Sequence, residues 1–121
     1  MTTTSSGFVE LTKSVSTRLA SLRSSTPDVM KSFSALGRAA LAAGALDAKT
    51  KELLALALGV ASRCDPCIGF HAQALVRLGA SRTELDEMLG VVVYMGGGPS
   101  LMYAAHALAA FDEFAAATVP A

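Results

Sequence analysis

Residues 62–74 read SRCDPCIGFHAQA and hold both cysteines of the chain and one of its two histidines. A thiol three residues before another can close a disulfide across one turn. An imidazole four residues past the second thiol shares its helical face and can take its proton, making the sulfur a nucleophile. With Asp65 as N-cap and Pro66 opening the helix, Cys67 falls at the second helical position. There, backbone N–H groups without intrahelical partners and the positive end of the helix dipole favour a thiolate. Cys64 lies just outside the helix, so one sulfur is placed to attack and the other to resolve. Arg63 favours a thiolate at Cys64, whereas Asp65 opposes one unless its charge is spent on the cap.

Other readings of the same residues stay open at this stage. The cysteines can be small buried hydrophobes, or Cys64, Cys67, His71 and His106 can form a two-Cys, two-His zinc set, although that spacing matches no common finger. His106, on an apolar segment, reads as a satisfied core histidine or a pocket wall. Glu52 precedes Cys64 by twelve residues, roughly 18 Å along a continuous helix axis, and spacing alone leaves it facing solvent.

The elements that must position these groups are helices. Apolar residues make up 52% of the 121 and aromatics only 6%, so the core must come from Ala, Leu, Val and Met, which favours close-packed helices over strands. Thr26 and Pro27 start a helix carrying Val29, Met30, Phe33, Leu36 and Leu41, with Gly44 as its stop. Asp47 caps the next, whose residues Leu53 to Leu58 and Val60 are apolar around nearly the whole circumference and predict burial on several sides. The cysteine helix runs to Leu78 and stops at Gly79. Ser81 with Glu84 is a capping box opening a helix with Leu85, Met88, Leu89, Val92 and Val93. Pro99 starts a last helix through Ala117, and an earlier helix spans Phe8 to Leu22. The pattern predicts an all-α bundle of about six helices: a tail over 1–7 and a single domain over 8–121. Gly96 to Gly98 form a turn; Met88, Met95 and Met102 fill the core.

A net charge of +0 without basic clusters argues against nucleic acid. The most apolar run, about ten residues from Leu53, is too short for a membrane span, and the N-terminus lacks a signal-peptide pattern. A cytoplasmic protein is the plain expectation, and there a close cysteine pair is catalytic or metal-binding more often than a structural staple. The mean hydropathy of +0.47 predicts self-association.

A Glu, then twelve residues on a CxxC, then a His four past the second Cys resembles the carboxymuconolactone decarboxylase family, and within it the alkylhydroperoxidase D-like branch. The resemblance covers roughly Lys49 to Phe114, including MGGGPSLMYAAHALAAF. It implies an all-helical fold assembled as a homotrimer or homohexamer and a peroxidase without a cofactor. In that scheme Cys67 attacks the hydroperoxide, Cys64 condenses with it to a disulfide, His71 relays the proton and Glu52 orients His71. It also implies an external dithiol reductant, a lipoyl-bearing protein being the precedent, and reverses the surface reading of Glu52. One departure stands out, since the founding peroxidases carry a second histidine where this chain has Pro66. A ligand- or metal-binding helical oligomer and a redox sensor remain alternatives; lactone decarboxylation is more distant, that branch lacking the cysteine pair.

Overall fold

The computed structural model describes residues 7–118, and nearly all of the tail expected over 1–7 lies outside them. Six helices follow one another: α1 Gly7–Ser25, α2 Pro27–Leu41, α3 Ala48–Ala61, α4 Asp65–Arg77, α5 Arg82–Gly96 and α6 Gly98–Thr118. The bundle is all-α, as composition and periodicity predict.

Local chemistry sets most of the boundaries. Asp47 accepts from the Thr50 N–H at 2.7 Å at the start of α3. At α5, Ser81 Oγ accepts from the Glu84 N–H at 3.0 Å while Glu84 Oε1 accepts from the Ser81 N–H at 2.9 Å, which completes the expected capping box. Thr26 behaves differently from expectation: it makes no side-chain cap for α2. Its hydroxyl instead donates back to the Leu22 carbonyl at 2.9 Å, so it closes α1. The last helix begins at Gly98, one residue before Pro99, after Gly97 turns the chain at φ +72°.

The core is where α3, α4, α5 and α6 meet. Leu56 and Val60 of α3, Ile68, Ala72 and Leu75 of α4, and Leu85 of α5 are fully buried. On α6 the buried positions include Ala104, Ala107 and Ala110, small residues that let its backbone approach its neighbours. Ile68 follows Cys67 directly, and burying such a side chain contributes about 1.5–3 kcal/mol, so the start of α4 is anchored by packing. Across its other face, α1 crosses α4 at Gly69, with Thr12 and Phe8 against it. Glu113 of α6 accepts from the Phe8 N–H at 2.8 Å and the Val9 N–H at 3.3 Å, satisfying two otherwise orphaned donors at the head of α1.

Two expectations need correction, and α2 adds an exposed apolar face that the sequence reading did not assign. The helix expected to be buried on several sides, α3, leaves Leu54 and Leu58 exposed, because the chain folds other helices against only part of its circumference. On α2 no residue is buried, and Val29, Phe33 and Leu36 are exposed. Of the three methionines, Met88 packs against the core whereas Met95 and Met102 are exposed.

Candidate active site

The cysteine segment is placed by two helix ends that share a residue. After α3, the Arg63 N–H donates to the Val60 carbonyl at 3.1 Å and the Cys64 N–H to the Gly59 carbonyl at 3.0 Å. This pair of bonds is a Schellman motif, with Arg63 at φ 56° in the left-handed position usually given to glycine. Cys64 is thus the last residue of one motif and the first of the next. Its sulfur accepts from the Cys67 N–H at 3.2 Å, making Cys64 the N-cap of α4. Asp65 was expected in that role. The cap moves back one residue, Asp65 and Pro66 occupy the first two helical positions, and Cys67 becomes the third.

Cys64 and Cys67 are joined by a disulfide, their Cα atoms 5.2 Å apart, and both are half-buried. Close packing fixes the pair: a Cβ built on Gly59 would lie 3.3 Å from Cys67 Cβ and 3.5 Å from the Ile68 nitrogen. Gly59 therefore lets α3 pass directly beneath the redox turn.

His71 Nδ1 lies 2.6 Å from Glu52 Oε1. An ionised carboxylate can only accept, so Nδ1 is the donor and Nε2 is the nitrogen presented to another partner. The Glu52 side chain is 12% exposed and that of His71 29%. A carboxylate so enclosed needs a partner, and here it has one. The reading from helix rise, which put Glu52 on the surface, fails because the chain reverses at Arg63 and α4 runs back along α3.

Sequence reasoning gave His106 a place in the core, in a pocket wall or in a zinc set, and paired it with no carboxylate. Its Nδ1 lies 2.7 Å from Asp65 Oδ1, with side-chain exposures of 43% and 38%, so it is no core residue. Its ring is flanked by Tyr103, centroid separation 4.7 Å, and Phe8, 6.1 Å. Asp65 engages an imidazole rather than the helix cap. Each histidine is thereby held by its own carboxylate, and among the described residues no group of three or more His, Cys, Asp or Glu is placed to hold a metal ion. Nor is any described helix long and apolar enough to cross a membrane.

Comparison with known proteins agrees with the all-helical fold. The family model for the carboxymuconolactone decarboxylase family matches residues 27–110. An uncharacterised protein of Cupriavidus necator is 41% identical over 98 residues, covering 81% of this chain and 87% of its own length. Another, encoded in the cox locus of Paracoccus denitrificans, is 37% identical over 81 residues, covering 67% of this chain and 73% of its own length. Among solved structures, the apo form of a carboxymuconolactone decarboxylase family protein from Legionella pneumophila superposes with a TM-score of 0.90 at 58% identity. The match covers 92% of this chain and 99% of that one. A family protein from Thermotoga maritima, described as a candidate participant in an antioxidative response, gives 0.72 at 32% identity over 88% of each chain. The chain belongs to the carboxymuconolactone decarboxylase family.

Proposed function

We propose that the chain is a thiol-disulfide oxidoreductase that reduces hydroperoxides, with Cys67 as nucleophile, Cys64 as resolving cysteine and the Glu52–His71 pair as proton relay. The observation that carries this reading is the 2.6 Å Glu52–His71 contact one helical turn beyond a cysteine already bonded to its neighbour. With Nδ1 held by Glu52, His71 Nε2 takes the Cys67 proton. The thiolate attacks the peroxide, the O–O bond breaks, Cys67 becomes a sulfenic acid, and the imidazolium returns the proton to the departing alkoxide. Cys64 then displaces the sulfenic oxygen as water and closes the disulfide. An external dithiol, of which a lipoyl-bearing protein is one source, reopens it and is oxidised in turn. Support also comes from the relative described in connection with an antioxidative response.

The same reading treats 8–121 as one domain of a cytoplasmic protein, where thiols are kept reduced between turnovers, and makes the assembly a homotrimer or homohexamer. The exposed apolar faces of α2 and α3 support self-association. Peroxide consumption with dihydrolipoamide as reductant tests the chemistry. Wild type is expected to turn over and Cys67→Ser to lose that activity; equal rates would sink the assignment.

A further inference from the structure

The cysteines are flanked by a second carboxylate–imidazole pair that the peroxide chemistry above leaves without a task. Asp65, between the two cysteines in sequence, meets His106 of α6 at 2.7 Å. Both side chains remain partly exposed, so the imidazole can exchange protons with solvent. Tyr103 and Phe8 hold the ring from two sides, which fixes its orientation toward Asp65. The contact joins α6 to the first residue of α4.

The resolving step brings charge to this corner. For Cys64 to bond Cys67 Sγ and expel the sulfenic oxygen, its thiol must first lose a proton. The S–S bond forms as the S–O bond breaks, and the departing hydroxide takes up a proton to leave as water. The negative charge thus arises on Cys64 next to Asp65 along the chain. Two like charges so close oppose each other, whereas an imidazolium on Asp65 cancels the carboxylate. Other charges on the elements around Cys64 are the Arg63 guanidinium beside it in sequence and the pair formed by Glu52 of α3 and His71, about two turns into α4. Tyr103 contributes a ring from α6, and from α1 the contact is the uncharged Phe8.

We infer that the Asp65–His106 pair is a charge-compensating unit serving Cys64, in which His106 takes up a proton as the Cys64 thiolate forms. His106 is a positioning residue in this scheme, acting through Asp65. The inference rests on the proposed division of labour between the cysteines, but its test uses neither peroxide nor a biological reductant.

The reduced protein is alkylated with iodoacetamide across a pH series, and adducts at Cys64 and Cys67 are separated by peptide mass spectrometry. His106→Gln is expected to raise the midpoint of Cys64 alkylation by about half a pH unit or more, since a bare Asp65 anion then faces the thiolate. The Cys67 midpoint should stay nearly fixed. Asp65→Asn is expected to lower the Cys64 midpoint, and adding His106→Gln to it should do nothing further, a non-additivity that reports coupling. A purely structural contact would instead lower thermal stability and leave both midpoints in place. Equal shifts at the two cysteines, no shift at Cys64, or additive effects in the double variant would each overturn the inference. Loss of peroxidase activity in wild type with the Cys64 shifts intact would instead condemn the peroxidase reading alone.

Discussion

Glu52 of α3 and His71 of α4 meet at 2.6 Å through Oε1 and Nδ1, nineteen residues apart in a chain that reverses between them. Removing the carboxylate while keeping shape and hydrogen bonding separates orientation from charge. Glu52→Gln is expected to lower kcat/KM for peroxide by about ten- to a hundredfold near pH 7, within the range general acid–base catalysis supplies. His71→Gln should cost at least as much, because it deletes the proton carrier itself. Steady-state rates across a pH series check this: a loss below about twofold for Glu52→Gln would make the carboxylate a structural partner only.

Gly69 and Gly90 differ in what an added methyl would meet. A Cβ on Gly69 would approach Thr12 Cγ2 to 2.7 Å and Phe8 Cδ1 to 3.5 Å. Thr12 cannot easily turn away: it is buried, and its hydroxyl donates to the Phe8 and Val9 carbonyls at 3.0 and 3.1 Å. The overpacking cost of about 1–3 kcal/mol should then exceed the helix-propensity gain of about 1 kcal/mol. Gly90, mid-helix in α5, has nothing within 4 Å, so only the gain remains there. Chemical denaturation should show Gly69→Ala destabilised and Gly90→Ala stabilised; the same sign for both would refute the packing account of the α1–α4 crossing.

Much of this architecture was legible in the sequence because it rests on local signals. Asp47, Ser81 with Glu84, and Gly79 mark helix ends through neighbours within a few residues, and each does so in the structure. The redox turn was partly legible. Asp-Pro reads as a cap, but the acceptor for the Cys67 N–H is the Cys64 sulfur, an atom rarely found capping. Arg63 in a glycine-type conformation hid the end of α3. Long-range partners were not legible from spacing: Asp65 and His106 lie forty-one residues apart, and the pairing of Glu52 with His71 came only from the family resemblance. Glu52 illustrates the reason. Measured along one axis it stands far from the cysteines, yet after the reversal it stands about 15 Å back from the turn and His71 about 10 Å forward, and packing brings their side chains together.

Acid should weaken the contacts that fix α3 and α5. The Asp47 carboxyl is held below its ordinary range, first by the Thr50 side chain, then by the Thr50 backbone N–H. That of Glu84 is lowered first by the Lys49 ammonium, 2.7 Å away, then by the Ser81 backbone N–H. A carboxylate with a depressed folded value contributes stability that is present above its unfolded value and lost as pH falls through the folded one. The loss therefore begins below about pH 4. Lys49 is raised by Glu84; its contribution is complete below its unfolded value and lost as pH rises beyond about 10. Glu84→Gln keeps the acceptor for the Ser81 N–H while removing the charge. Thermal midpoints against pH should therefore flatten at both ends in that variant, and unchanged slopes would contradict the assignment.

Self-association is the expected consequence of α2, a helix of 15 residues with no buried position. Val29, Phe33 and Leu36 form one exposed apolar face on it, at spacings that align along a helix. A helix of that length is marginal in water without packing, and among the described helices α2 touches only α1 and α3. A second apolar surface on the same molecule is a groove between α3 and α5, lined by Leu58, Val91, Val92 and Met95 among others. Covering the three α2 side chains would contribute at most about 1.5–3 kcal/mol each per copy toward the cost of association. Sedimentation should give three or six times the 12.4 kDa chain mass, and Phe33→Glu should shift the population toward smaller species with loss of helix signal. A monomeric wild type would instead require α2 to hold its helix against water with its apolar face bare, which its packing within the chain does not support.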